Sequence, residues 1–380
     1  MLAGGLGLAG AQWWEAAVTV PAATAADGAA VAAVGPHEGR HAAAAAPLPV
    51  SPVGSGAQAG AAPSGDDLEI PQDGLQVCGV GHVPAAELRR WRAEPAWGEV
   101  QAERLNQEMA QVGKQALAKI AARLAAGNDR QQVAARLLMQ DRDGAALLAE
   151  RSRDAQAYQM ALMACGGPGG DTANCARLTP QRWAALDPSD ARPWLRLMDA
   201  ARQRKDAAGV DAALAEAAAR PRFSRVRGLL AAEVVAVADA VPDLGGVGHA
   251  LMAVLSMDLA MTGFDMAFPL RVCKGDALAD ATRLAHCRAF ARQALAGATD
   301  LLEASVAQTL ADRVGVPRDQ QALDAATIKA ARERLGDLTI AAVGMDCAAM
   351  QRTTQFARDV ASRGELAFAL SLVPAKAASR

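Results

Sequence analysis

Six cysteines and five histidines are the side chains best suited to covalent, redox or metal chemistry here. Cys165 and Cys175 flank the glycine-rich stretch Gly166 to Asn174, and Cys273 and Cys287 flank an expected helix start at Asp276. Either pair, if bridged, closes a loop of roughly 11–15 residues, worth about 3 kcal/mol in the chain-entropy picture. Cys78 and Cys347 remain, and can pair only if the fold brings the two ends of the domain together. An even count with two local pairs predicts disulfides and an oxidising compartment. Buried free thiols and metal ligation are the alternatives. Tetrahedral zinc spacing is missing, because there is no C-x-x-C and His286–Cys287 is the one adjacent His/Cys pair.

The histidines offer little chemistry. His37 and His41 lie in a tract of alanine, glycine and proline. His82 follows Cys78 by four residues, a Cys/His pair of the types that serve as nucleophile and base. The intervening Gly79 and Gly81 instead predict a tight turn around a structural cysteine. His249 opens a segment holding Met252, Met257 and Met261, residue types that suit copper(I), although a methionine-filled core explains them more simply. Glu216, Asp258, Asp265 and Glu303 read as isolated carboxylates. No H-E-x-x-H, G-x-S-x-G or Walker loop is present. Gly5-Leu6-Gly7-Leu8-Ala9-Gly10 matches G-x-G-x-x-G, but only four residues precede it, leaving no room for the strand a dinucleotide site needs. No catalytic, cofactor-binding or metal-ligating residue is assigned, and the reading leans away from an enzyme.

The elements that carry these residues are expected to be helices throughout. Hydrophobic residues make up 52% of the chain but aromatics only 3%. The apolar mass is therefore alanine, leucine, valine and methionine, which favours helices over sheets. Helical spacing is read over 85–91, 99–126, 131–140, 144–164, 191–204, 207–220, 226–241, 248–263, 277–297, 299–314, 319–335, 338–362 and 365–372. Gly127-Asn128-Asp129 ends the longest early helix and caps the next. No strand-length alternation stands out. The net charge of −2 comes from interspersed signs, which argues against a nucleic-acid partner.

The first seventy residues differ in kind. Arg40 is the one Lys or Arg before residue 70, and the stretch over 21–70 lacks the apolar mass to order itself. It reads as a linker. Residues 1–20 carry a Gly/Leu/Ala run closed by Trp13-Trp14, read as a truncated membrane anchor or signal remnant. Residues 71–380 then form the helical domain.

One stretch carries a resemblance. In Leu186-Asp187-Pro188-Ser189-Asp190-Ala191-Arg192-Pro193-Trp194-Leu195-Arg196-Leu197, the spacing of Pro188, Trp194 and Leu197 resembles a junction between tetratricopeptide repeats, with Leu214 and Ala217 on the returning helix. Met198, Ala201 and Val210 depart from the family pattern, and the match covers about 35 residues clearly. The resemblance implies stacked helical hairpins, with Trp194 and Leu197 packing on Leu214, and a protein or peptide as partner. Trp183 is added as a further packing residue. The expected function is a non-enzymatic, exported or membrane-tethered interaction protein, periplasmic in location. The alternatives are a helical enzyme or small-molecule receptor with a pocket between helices, and a cytoplasmic regulatory protein.

Overall fold

The computed structural model describes residues 70–166, 170–261, 265–342 and 344–374. The expected anchor and linker, with His37, His41 and the G-x-G-x-x-G stretch, therefore lie outside the described residues.

Among the described residues the chain is all-α, with sixteen α-helices and a single two-stranded hairpin. The hairpin is β1 (Leu75–Val77) against β2 (Gly81–Val83), antiparallel, with Val77 opposite Gly81. Three residues per strand are too few for an alternation to show in the sequence. Gly79 turns the chain with φ near +79°, a conformation that suits glycine.

Helices α1 (Ala85–Ala93) and α2 (Pro95–Leu124) follow. Proline at the first position of α2 fits its missing N–H and fixed φ. Leu105, Met109, Ala116, Ile120 and Leu124 make the buried stripe of α2, while Val100, of the same expected stripe, is exposed. Helix α3 (Asp129–Leu138) opens on a full capping box: the Asn128 side chain accepts from the Gln131 backbone N–H, and Gln131 reaches back to the Asn128 N–H.

The single helix expected over 144–164 is two, α4 (Arg142–Arg151) and α5 (Ala155–Cys165). Asp154 breaks it, because its carboxylate accepts from the N–H groups of Gln156 and Ala157 and starts a new helix. Helix α6 (Pro180–Leu186), missed in the sequence, is capped by Thr179. Helices α7 (Arg192–Gln203) and α8 (Ala207–Ala219) form a hairpin closed by Asp206, which caps α8. Then come α9 (Leu229–Ala238), α10 (Leu244–Met261) and the short α11 (Ala267–Val272).

Beyond Cys273 the helix start is displaced from its expected place. Gly275–Ala279 is a 3-10 turn, and Asp280, not Asp276, caps α12 (Ala281–Gly297) by accepting from the Arg283 N–H. Helix α13 (Leu301–Arg313) is capped by Asp300. The expected break near residue 336 is absent: α14 runs Ala325–Ala342 through Gly336. Asp346 caps α15 (Cys347–Arg363), and α16 (Glu365–Ser371) closes the described chain.

These helices enclose two apolar cores. The first takes the buried faces of α2–α5, α9 and α10, with Trp183 of α6 and Ala357 of α15. The second takes α7, α8, α11–α14 and α16. Small side chains set the helix spacing: Gly113 of α2 backs onto His249 of α10, and a Cβ at Gly245 would sit about 2.6 Å from the Gly79 backbone. A third, smaller cluster gathers Val77, Trp91, Leu105 and Met109 under the hairpin.

Candidate functional site

All six cysteines are bridged. Cys165–Cys175 and Cys273–Cys287, the two local pairs, join with Cα atoms 5.5 and 5.9 Å apart. Cys78–Cys347 joins residues 269 apart, with Cα atoms 4.6 Å apart. The hairpin makes this possible, since the Cys78 N–H donates to the Met345 carbonyl at 2.7 Å just before α15 begins. With its sulfur in a disulfide, Cys78 cannot serve as a nucleophile for His82. His249 turns its Nε2 toward the Cys78 carbonyl at 3.0 Å, and burial lowers its pKa, so it braces the hairpin as a neutral ring. Met252 is exposed on α10 while Met257 and Met261 pack on the first core, so the three do not share a face. His286 is half-buried beside the bridged Cys287.

The carboxylates read as isolated in the sequence require the main correction. Glu216 pairs with Arg220, the residue that closes its own helix. Glu303 and Asp265, by contrast, converge on Arg192, a guanidinium with 1% side-chain exposure. The Arg192 Nη2 donates to Glu303 Oε1 at 2.5 Å, and its Nε donates to the Ser224 carbonyl. The other Glu303 oxygen accepts from the Thr299 N–H at 3.1 Å and the Thr299 hydroxyl at 3.0 Å. Asp190 Oδ1 accepts from the N–H groups of Arg192 and Ser224, tying the start of α7 to the chain ahead of α9. Asp265 meets Arg196, one turn along α7, at 3.2 Å. Burial pulls the Arg192 guanidinium down, but Glu303, Asp265 and Asp190 more than offset it, so its pKa stays raised.

The network continues through the segment Ser224–Arg227. Gln159 of α5 donates to the Arg225 carbonyl at 2.8 Å, and Arg225 donates to the Ala361 carbonyl at the end of α15. Arg227 pairs with Glu365 at 2.7 Å, and Glu365 also accepts from the Leu301 N–H. Asp258 of α10 caps α9 from the side, accepting from the N–H groups of Leu230 and Ala231 at 3.0 and 2.8 Å. The starts of α7, α9, α13 and α16 thus meet in one polar seam where the two apolar cores adjoin. Asp190, Arg192, Arg196, Arg227, Asp300 and Glu365 were not singled out from the sequence. The one local signal was the Asp300-x-x-Glu303 cap ahead of an apolar run.

Burial shifts several of the seam's carboxyls. Burial pushes Asp258 up to about 7, against the pull of its two backbone donors and of Arg227 and Arg225. Burial, then the neighbouring Glu303, push Asp300 up to about 6. Burial also raises Asp265, with Arg196 and Arg192 opposing. All three carboxyls are at most 3% exposed, so none presents itself to a substrate in solution. Two surface depressions, of about 380 and 450 Å³, lie elsewhere: one over Lys119, Arg123 and Pro242, the other along α2 at Glu99, Val100 and Glu103. No group of three or more His, Cys, Asp or Glu residues fit to hold a metal ion occurs among the described residues.

No protein-family model, curated protein or solved structure matches the chain. Fold and site define it as an all-helical domain braced by disulfides, with an ionic seam between two cores.

Proposed function

We propose that this chain is an exported, non-enzymatic helical module that binds proteins or peptides in an oxidising compartment, with residues 1–20 as its tether. The observation that carries the reading is the pairing of all six cysteines, since such bridges persist in oxidising surroundings and are rare in the cytosol. The α7–α8 hairpin, with Leu214 and Ala217 fully buried, supports a tetratricopeptide-like stacking unit at the centre of the domain. Such hairpin stacks commonly present extended surfaces to other chains. A periplasmic location with an inner-membrane tether follows from joining the bridges to the Gly/Leu/Ala–Trp run at the N-terminus.

The test is the intact mass of the full chain purified from its native host without reductant, with and without alkylation. A mass six hydrogens below the reduced form, with no alkylation, matches the three bridges. Six alkylated thiols would overturn the export reading and favour an intracellular protein. Fusing the chain to a reporter active only after export then tests the compartment directly.

A further inference from the structure

We propose that the arginines gathered where α12 meets the end of α13 form a docking site for an acidic peptide segment, held through its carboxylates. The site rests on the reading of the chain as a protein- or peptide-binding module and adds to it a place and a partner chemistry. Helix α12 (Ala281–Gly297) contains three arginines and a histidine but no Asp or Glu. Arg283 is neutralised by Asp211 at 2.6 Å, whereas Arg288 and Arg292 are exposed and follow one another by one helical turn. Arg288 Nε donates to the Val314 carbonyl at 2.7 Å, and Arg313 Nη1 donates to the Leu270 carbonyl at 2.8 Å. Arg292 reaches Gln320, in the 3-10 turn Arg318–Gln320, at 3.5 Å. These contacts set Arg288, Arg292, Arg313 and Arg318 around the loop that joins α13 to that turn.

Among the described residues, no carboxylate stands within ion-pair reach of any of these four guanidiniums. The two acidic residues of the loop region do not neutralise them. Asp312 accepts from the side-chain amides of Gln308 at 3.1 Å and Gln321 at 3.4 Å, and Asp319 is exposed in the 3-10 turn. Like charges one turn apart on a helix repel. The helix dipole accounts for Arg313, in the last turn of α13, and the Val314 carbonyl accounts for Arg288 Nε. Neither accounts for Arg292 or Arg318, nor for the outer edge of the Arg288 fork. A bound anion offsets the repulsion and takes up these donors.

The spacing suits an extended chain. Arg288 and Arg292 are about 6 Å apart along the helix axis, four residues at about 1.5 Å each. Alternate side chains of an extended peptide lie about 6.6 Å apart on one face, two residues at about 3.3 Å each. Acidic residues at every second position therefore meet successive guanidiniums, each able to hold a carboxylate by two parallel N–H donors. The neighbouring surface argues against a lipid bilayer, which basic helices bind with apolar side chains buried beside the charges. Of the large apolar side chains exposed on the described residues, Leu302 alone belongs to α12 or α13. It stands at the opposite end of α13, about 16 Å along the axis from Arg313.

The experiment measures binding of the full, oxidised chain to a fluorescent Glu-Ser repeat peptide, to its Gln-Ser counterpart and to phosphatidylglycerol vesicles. Arg292→Gln with Arg318→Gln is the test variant, since neither side chain holds a backbone carbonyl. Arg89→Gln with Arg151→Gln, both exposed, removes the same charge elsewhere. Wild type should bind the Glu-Ser peptide, more weakly as salt is raised, and should not bind the Gln-Ser peptide. The test variant should lose about fivefold in affinity or more, and the control less than about twofold. Equal losses in the two variants would overturn the site, as would vesicle binding that depends on Arg292 and Arg318 while peptide binding does not. In wild type, the Nε–H signals of Arg288 and Arg292 must shift on adding the Glu-Ser peptide, and unshifted signals would overturn the site whether or not the variants fold. A library peptide free of Asp and Glu that binds wild type and test variant alike, with no binding of the Glu-Ser peptide, would overturn the acidic site and leave the peptide-binding reading standing. Failure of every library peptide to bind would overturn both.

Discussion

Arg192 and Glu303 stand 111 residues apart in the chain and meet at 2.5 Å inside the protein, both almost wholly out of contact with water. The pair joins the start of α7 to the first turn of α13, and through the Ser224 carbonyl to the segment leading into α9. Breaking one partner leaves the other charged and stranded. Glu303→Ala is therefore expected to cost about 3–5 kcal/mol, measured by urea denaturation. Replacing both, as Arg192→Met with Glu303→Leu, should cost less than the single variant, because the two paired charges leave together while Asp265 keeps Arg196 and Asp190 keeps its backbone donors. Equal losses in the single and double variants would show that the pair's packing, rather than its charge, holds the seam.

The three disulfides should differ in worth. In the chain-entropy picture a loop of about 11 residues contributes about 3 kcal/mol, and a loop of hundreds contributes about 5. Cys78→Ala with Cys347→Ala, which opens a separation of 269 residues, should lower the denaturation midpoint more than Cys165→Ala with Cys175→Ala, which opens one of 10. The reverse order would mean that the unfolded chain is already held compact near the hairpin.

Trp183 packs within the first core with no exposed surface. Trp194, three positions into α7, is half-buried at the edge of the second core, with the Arg220 guanidinium 5.3 Å from its ring centre. Trp183→Ala should cost about 3–5 kcal/mol, since large-to-small changes in a closed core lose both transfer energy and packing. Trp194→Ala should cost clearly less. Thermal unfolding of the two variants side by side checks the order.

Much of this architecture was legible where one segment decides its own structure. The α7–α8 hairpin shows in the sequence because Asp206 caps α8 and the apolar spacing is helical on both sides. Even there the detail moved. Leu195 and Met198 fill the centre of the core, while Trp194 and Leu197 pack on it from the edge, because the buried stripe of α7 is rotated from the one the repeat pattern implies. The break at Asp154 was not read, because an unbroken apolar period masks it, although an Asp ahead of a helical run competes for backbone N–H groups. The seam was not legible. Its members lie at 190, 192, 196, 227, 258, 265, 300, 303 and 365, and only the tertiary fold turns scattered single charges into neighbours.

The close approach of the hairpin to α10 yields the last expectation. A Cβ at Gly245 would lie about 2.6 Å from the Gly79 backbone, and both partners at that contact are main chain, which cannot swing aside. Gly245→Ala must therefore push the turn away from the helix, lengthening the 3.0 Å contact between the His249 ring and the Cys78 carbonyl. Overpacking of this kind costs about 1–3 kcal/mol. The Cys78–Cys347 bond anchors the hairpin to the start of α15, so the displaced hairpin should stay attached but lose order. Relief of the burial that lowers the His249 pKa, the largest influence on it, should outweigh the loss of the Cys78 carbonyl contact that raises it, so the ring should titrate nearer the ordinary histidine value, a change read directly by ring-proton NMR titration. An unchanged titration in Gly245→Ala would mean that α10, rather than the hairpin, gives way.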